Sequence, residues 1–314
     1  MQARSRREDN MKKLELPFTL TNSNMKMFKN CPQMGYYRQV EHLVPRIQSE
    51  ALSIGSGFHK GAETGSVEQA FSVFANEYPN TQEEMNALEI KKATVQAMVE
   101  GYGKAFQQFD NIQPEIKFSL PIINPATGAP SKSFNLSGKA DGLMQIDGKW
   151  WLLELKTAGQ INKTYIDRLM LDSQITTYFY AMQRAKGINL AGIIYRIVKK
   201  PSIYPRKGES INQFCERLIA DYQQRPEFYF FEEKLYRTQD DLKLFERELW
   251  MFTQYLLLCN REGLWYRNPS KCGDYGRCQY MPLCLQEQDA IDLYEVKEPN
   301  SELKEEQEDG TAAA

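Results

Sequence analysis

Gly138-Lys139-Ala140-Asp141-Gly142-Leu143-Met144-Gln145-Ile146-Asp147-Gly148-Lys149-Trp150-Trp151-Leu152-Leu153-Glu154-Leu155-Lys156 is the stretch on which the fold turns. An Asp-Gly pair between two apolar-rich runs marks a two-residue hairpin, because such turns need positive φ at both central positions. In the second run Trp150, Leu152, Glu154 and Lys156 share one face, and Trp151, Leu153 and Leu155 the other. Apolar side chains on both faces fit a central, covered strand. Glu154 and Lys156 then sit together at its C-terminal end, the edge where α/β sheets place chemistry. Asp141, on the antiparallel partner, can reach the same end. Mg²⁺ binds through one or two carboxylates and keeps several waters. Asp141 and Glu154 supply those carboxylates, and the Leu155 carbonyl offers a third oxygen. Lys156 can hold or deprotonate an attacking water, so the set suits metal-dependent phosphodiester hydrolysis. Taken alone, a Glu-x-Lys is also how many surface strands end, as a solvated ion pair with Asp141 in a turn.

Outward from the hairpin, the pattern predicts helix, three strands, helix, strand. Thr81-Gln-Glu-Glu84 is a capping box. It opens a long helix in which Met85, Leu88, Val95, Val99, Tyr102, Phe106 and Phe109 recur at three- and four-residue spacing. Strands are expected over residues 115–121, 134–146 and 149–157, with a Pro/Gly/Ser loop at 124–131. A helix is expected over 163–186, with Leu171, Ile175, Phe179 and Met182 as its apolar stripe, and a buried strand over 191–198. Upstream, 21–40 reads as helical with Cys31-Pro32 breaking it. Ser53-Ile-Gly-Ser-Gly-Phe-His59 leads into a short helix ending near Glu63. Downstream come a helix at 211–223, an aromatic strand at 228–233, a helix at 240–261 and a cysteine-rich loop.

The chain has 314 residues, 42% hydrophobic and 25% charged, an ordinary globular profile. No apolar run reaches the ~18 to 20 residues of a membrane span. The basic start has no apolar stretch behind it, so it is no secretory signal and the expected compartment is the cytoplasm. The net charge is −2, but residues 286–314 hold ten acidic residues and two lysines, which leaves +6 on the remainder. An acidic tail thus masks a mildly basic body, which permits a nucleic-acid partner. The expected organisation is a frayed basic start (1–13), one α/β domain (14–285) and an acidic, disordered tail (286–314).

Further motifs give the hairpin company. Gly55-x3-His59-x3-Glu63, Gly138-x2-Asp141, Glu154-x-Lys156 and Gln174-x3-Tyr178 follow one another in order, preceded by Leu20-Thr-Asn-Ser23 through Cys31-Pro32. The i, i+4 spacing puts Gln174 and Tyr178 on one helix face. Together these resemble the PD-(D/E)XK nuclease superfamily, and within it the RecB-like branch, over roughly Leu20 to Cys284. The resemblance implies a restriction-endonuclease-like α/β core with a central mixed sheet and added helices. It implies that Asp141 and Glu154 bind Mg²⁺ or Mn²⁺ with the Leu155 carbonyl, and that His59 is a further ligand. Lys156 is implied to activate or position water, and Gln174 and Tyr178 to support it. Two positions depart from the branch: Ala140 stands where proline is common, and Gly142 where arginine or another polar residue is common. Of the two histidines, His42 lacks such support and reads as structural.

Six cysteines occur. Disulfides are not expected in a long chain without an export signal. Cys215 and Cys259 lie in helical patterns among apolar neighbours and read as core. Cys272-x5-Cys278-x5-Cys284 lies in a Gly/Pro-rich loop, with Cys31 as a distant fourth thiol. Four thiolates admit Zn²⁺ or an iron–sulfur cluster. The one-plus-three arrangement resembles the iron–sulfur nucleases of the RecB-like branch, including those of CRISPR adaptation and the AddB-type subunits. It implies a [4Fe–4S] cluster stapling both ends of the chain, with structural Zn²⁺ as the alternative.

The expectation is therefore a metal-dependent deoxyribonuclease, an exonuclease favouring single-stranded DNA ends, in a prokaryotic or phage-infected cell. Its partners would be DNA and recombination or replication proteins, with no membrane. Arg38, Lys139, Lys163, Arg168, Lys199, Lys200, Arg206 and Lys207 are candidate phosphate contacts. The competing class is a non-catalytic iron–sulfur DNA-binding or assembly module of a larger complex.

Overall fold

A computed structural model describes residues 12–47, 50–75, 77–106, 108–109, 111–274, 276–300 and 303. Residues 1–11 and most of 301–314, expected to fray, lie outside them. The elements that position the site are, in order, β1 (Phe18–Leu20), α1 (Asn22–Asn30), α2 (Pro32–Gln39), β2 (Leu43–Pro45), α3 (Glu50–Thr64), α4 (Gln82–Ala105), β3 (Gln113–Ile123), β4 (Pro130–Ile146), β5 (Lys149–Ala158), α5 (Lys163–Leu169), α6 (Ser173–Lys186), β6 (Leu190–Lys199), α7 (Ile211–Gln224), β7 (Phe230–Leu235), α8 (Gln239–Glu262) and β8 (Tyr294–Val296).

The Asp147-Gly148 turn forms with φ of 50° and 73°, and brings β5 antiparallel to β4 with Ile146 opposite Lys149. β6 returns parallel to β5 after the α5–α6 crossover, and β7 closes that edge antiparallel. The result is a six-stranded mixed sheet ordered β1-β4-β5-β6-β7, with β3 paired to the other side of β4. The two-residue alternation in β5 becomes two cores. Leu152 joins Ile193, Tyr195 and Ile197 beneath α6 and α8. Leu153 and Leu155 join Ile194 and Val198 beneath α3, α4 and α7. Burying a Leu or Ile stabilises by about 1.5–3 kcal/mol each, so a strand apolar on both faces fixes the middle layer of an α/β/α sandwich.

β4 is too long for one partner. On one edge β3 accompanies it along most of its length. On the other, β1 takes Phe134–Leu136 in parallel and β5 takes Gly142–Ile146 antiparallel. Residues 137–141 lie in the gap between them. Side-chain alternation also changes phase here. Phe134, Leu136 and Ala140 face the first core, as does Leu143, whereas Met144 faces the second. A Cβ on Gly142 would press on Ile112, which packs against the second core.

Several expectations need correction. Ser53–Gly57 is helix rather than an approach loop. Gly57 and, further on, Gly61 let α3 pack closely on α4, since added Cβ atoms would lie 3.2 Å from Val95 and 2.5 Å from Val99, whereas Gly55 lines the cleft beside Thr157. Residues 163–186 form two helices, because Asp172 caps a new one by accepting from Gln174 N, and Leu171 is left 86% exposed. Met85 is exposed as well, and Phe106 follows the end of α4. The Cys31-Pro32 break does form, with Cys31 closing α1 and opening α2.

The largest correction concerns the tail. β8 pairs antiparallel with β2, and Lys297 N donates to His42 O at 2.9 Å. Tyr294 stacks on Tyr280, whose buried hydroxyl donates to Leu43 O at 2.8 Å. Charge alone argued for disorder, but Tyr294 and Ala290 are buried anchors within the acidic run. A chain ending at Asn300 should therefore melt with the full-length protein. One ending at Gln286 should melt at least roughly 5 °C lower, since burying an aromatic of this size stabilises by about 3 kcal/mol. Circular dichroism melts of the two truncations decide this.

Candidate active site

The gap in the sheet is where the sequence motifs converge. Beyond the Gly142–Leu153 pair, β4 and β5 separate. The Leu155 N–H, which would otherwise meet a β4 carbonyl, donates to Asp141 Oδ2 at 2.7 Å. The motif aspartate thus substitutes for a sheet hydrogen bond. Its carboxylate also faces His59, delivered by α3, with Nδ1 at 3.8 Å. Asp141, His59 and Lys156 line a cleft of about 1040 Å³.

Glu154 lies beneath them and is 1% exposed. Its Oε1 takes the Lys156 ammonium and, at 2.9 Å, the Gln174 amide. The same amide donates to the Tyr178 hydroxyl at 2.7 Å, and that hydroxyl donates to Lys139 O at 3.2 Å. Tyr178 thereby satisfies a β4 carbonyl inside the gap. Gln174 is held by its own backbone, since its N–H caps onto Asp172 Oδ1. Glu154 Oε2 is buried without any hydrogen-bond partner. An orphaned carboxylate oxygen normally costs several kcal/mol.

Electrostatics follow from this burial. Desolvation pushes the Glu154 carboxyl up to about 7, with Asp141 adding repulsion and Lys156 opposing. Burial works to lower the Lys156 ammonium, but Glu154 and Asp141 outweigh it and the net direction is up. Burial lowers His59, reinforced by Lys156 and Lys139 and opposed by Asp141, so its ring favours the neutral form that binds metals. The arrangement can hold a hard cation between two carboxylates and keep a lysine beside it. Among the described residues, however, no three His, Cys, Asp or Glu side chains are drawn tightly enough together to grip an ion by themselves. The orphaned Glu154 oxygen is the feature that fits one.

Of the remaining expected residues, Glu63, Lys139 and Lys200 line the cleft, and Arg38, Lys163, Arg168, Lys199, Arg206 and Lys207 do not. Glu63 lines the cleft and pairs with Lys60 at 3.5 Å. Of the candidate phosphate contacts, Lys139 and Lys200 line the cleft, but Arg38 donates to Lys297 O near the C-terminus and Lys199 sits over the Phe228 ring. Lys26, Lys60 and Arg196, which the sequence reading passed over, also line it. Arg196 is 3% exposed, bonded to Glu232 at 2.8 Å and to the Tyr102 hydroxyl at 3.1 Å. An arginine in the middle of an apolar strand was the available signal.

The four cysteines lie where the α1–α2 junction meets the segment after α8, but no three of them are drawn together tightly enough to hold a metal ion. Burial raises Cys278 and Cys284, and each also feels Cys31, while Cys278 feels Cys272. Cys31 Sγ accepts from Asn268 N at 3.4 Å. The staple expected of a cluster is, however, already made by protein contacts. Asn268 Nδ2 donates to Asn30 O at 2.8 Å, and Gln33 N to Tyr266 O at 3.1 Å. Trp265 packs on Phe28 and Tyr36 at 5.3 and 6.0 Å between centroids. The Asn260 side chain clasps both main-chain groups of Leu14. Cys215 and Cys259 are buried core residues, as their helical setting implied.

A carboxyl raised from 4.5 to about 7 binds its proton more tightly in the fold than in the unfolded chain. Folding without metal should then lose stability as pH rises through that window. In the presence of chelator, Glu154→Gln should melt several degrees above the wild type at pH 8 and close to it below pH 4.5. Paired melting curves at the two pH values check both halves.

A sequence profile of the PD-(D/E)XK nuclease superfamily matches residues 19–285. No curated protein gives a significant match. Among solved structures, the chain is similar to a crystal structure of a "Putative exonuclease" from Eubacterium rectale (12% identity, TM-score 0.48, 92% of each chain covered). It is also similar to SSO0001 (12% identity, TM-score 0.32, 74% of this chain and 75% of that one).

Proposed function

The chain belongs to the PD-(D/E)XK nuclease superfamily, and on that premise we propose that it is a Mg²⁺- or Mn²⁺-dependent deoxyribonuclease of the RecB-like kind. The observation that carries this reading is Glu154: a buried carboxylate with one oxygen unpartnered, beside Asp141 and under a cleft lined by lysines. Without a cation, that oxygen is a standing cost that stability alone does not explain.

Asp141 and Glu154 would hold the cation, with the Leu155 carbonyl and His59 completing the protein's share. When bound, a divalent cation supplies the charge that activates water and offsets negative charge growing on the phosphate. Lys156, its ammonium held against Glu154, positions the attacking water. Gln174 fixes the Glu154 oxygen that Lys156 shares, and Tyr178 locks Gln174 and the Lys139 carbonyl. Lys26, Lys60, Lys139 and Lys200 attract phosphates. Phe109, half-buried in the cleft wall, offers an aromatic surface for an unpaired base. Single-stranded ends as substrate and exonucleolytic cutting in replication, recombination or repair complete the reading, on the resemblance to the RecB-like branch.

The cysteine set is part of the same reading. Cys31, Cys272, Cys278 and Cys284 would hold a [4Fe–4S] cluster; the support is their one-plus-three order in the sequence, since among the described residues no three cysteines are drawn together tightly enough to hold a metal. Because hydrogen bonds and aromatic packing already join the two ends, the cluster would add rigidity to an existing junction. Zn²⁺ on the same thiols is the alternative. Protein purified without oxygen should be brown and contain iron; colourless protein with zinc alone would replace the cluster by zinc.

Lys156→Ala should reduce cleavage of end-labelled single-stranded DNA with Mg²⁺ or Mn²⁺ by at least ~10²-fold while leaving DNA binding in place. Cleavage at the wild-type rate would instead favour a non-catalytic DNA-binding or assembly module.

A further inference from the structure

Arg196 is a cation in the middle of β6, on the face where Ile194 and Val198 are buried in the second core. It is 3% exposed, and its register partners are Leu155 on β5 and Glu232 on β7. Its Nε donates to the Glu232 carboxylate at 2.8 Å, so the charge is paired. An ion pair with one member this deeply buried is often no more stabilising than a well-packed apolar residue. An isoleucine would serve this face of β6 as well, and the arginine calls for another reason.

That reason lies in what the guanidinium touches. Its carbon sits 4.5 Å from the Phe106 ring centroid and 4.8 Å from that of Phe109, and Nη1 donates to the Tyr102 hydroxyl at 3.1 Å. Tyr102 belongs to the last turn of α4, Phe106 caps that helix, and Phe109 lies in the connector from α4 to β3. Guanidinium groups are attracted to aromatic faces, more strongly where water is excluded. Arg196 therefore ties the connector to the sheet. Further along, Ile112 fills the space over Gly142, where a Cβ would come within 2.4 Å of its Cδ1. Gly142 directly follows the motif aspartate. The connector is thus held at two points, and both Phe109 and Ile112 line the cleft. Phe109 is half-buried. The guanidinium covers part of its ring, and the remainder lies in the cleft wall.

We propose that Arg196 is a positioning residue for the substrate strand: it backs the Phe109 ring so that an unpaired base in the cleft stacks on it. The series is guanidinium, phenyl ring, nucleobase, and folding assembles the first two members in advance. An unsupported phenylalanine in a connector would have to be ordered as the base arrives, which weakens binding. The inference rests on the DNA-cleaving reading. It adds a residue outside the motifs that acts, through Phe109, on how tightly the strand is held rather than on the bond that breaks.

The test uses a phosphorothioate-linked single strand of about six nucleotides, which resists cleavage, with 2-aminopurine placed at each position in turn. The fluorescence of this base falls when it stacks. In wild type one position should be quenched on binding. Phe109→Leu keeps the apolar bulk; it should abolish that quench and raise KM for the unmodified strand roughly tenfold, as expected for one lost base–aromatic stack. Phe109→Tyr should restore both. Arg196→Lys keeps a charge beside Glu232 but not the planar group along the rings. It should weaken the quench and raise KM at least about threefold with kcat changed less than about twofold, and should add nothing to Phe109→Leu in the double variant. A merely structural role would add a further loss in that double variant. Melting temperatures report folding. If Arg196→Lys melts below the assay temperature, Glu232→Ala, at an exposed position of β7, loosens the same guanidinium and should weaken the quench likewise. A quench lost in Phe109→Leu but intact in Arg196→Lys and Glu232→Ala overturns this inference alone, as does a wild type with no quenched position. Wild-type protein that binds the strand but leaves unmodified DNA uncut overturns the DNA-cleaving reading, while the quench still decides the role of Arg196. Failure to bind overturns both.

Discussion

The structure depends on one unshared stretch of strand edge. β4 gives one end of an edge to β1 and the other to β5, and in the interval the backbone must find other partners. Asp141 accepts the Leu155 N–H and the Tyr178 hydroxyl bonds the Lys139 carbonyl, so the two open groups are closed by the side chains of the motifs. Buried backbone groups are almost always paired. Here that requirement and the chemistry of the site are met by the same atoms. Ordinary alternation from Ala140 turns Asp141 toward the cleft, and the phase change that follows returns Leu143 to the first core.

Glu154 shows the cost of this design. Burial raises its carboxyl to about 7, and only one of its oxygens is satisfied. Lys156 and Gln174 converge on the satisfied oxygen, which fixes the side chain and leaves the other free in direction and in charge. A fold selected for stability alone would replace this group with an apolar or amide side chain. Such a local loss is characteristic of functional sites, where preorganisation is retained at the expense of stability.

The two ends of the chain meet on the side of the cysteines, far in sequence but joined by many small contacts. Trp265, Tyr36, Tyr37 and Tyr280 form an aromatic series there, and the Asn268 and Asn260 side chains clasp the N-terminal segment. This anchors residues 290–296 of the acidic run: Tyr294 completes the series by stacking on Tyr280. Net charge is a poor guide to order where one buried aromatic contributes more than several solvated carboxylates oppose.

Sequence alone determined the features that depend on neighbours a few residues away. The Asp147-Gly148 turn, the two-faced apolar alternation of β5, the capping box at Thr81 and the i, i+4 placement of Gln174 and Tyr178 are local, so their periods and turn preferences could be read directly. Local signals also misled where a residue's partner lay elsewhere: the run before His59 proved to be helix, with Gly57 packed on α4 and Gly55 on the cleft, and the single helix expected over 163–186 was divided by the Asp172 cap. Only tertiary structure decided that β1 and β5 divide an edge of β4, that Asp141 replaces a ladder bond, that Glu154 is left with an orphaned oxygen, and that Lys117 faces Lys139. Each depends on strand pairing between segments far apart in the chain. Register across a sheet is set by the packing of both faces together, which no single segment encodes.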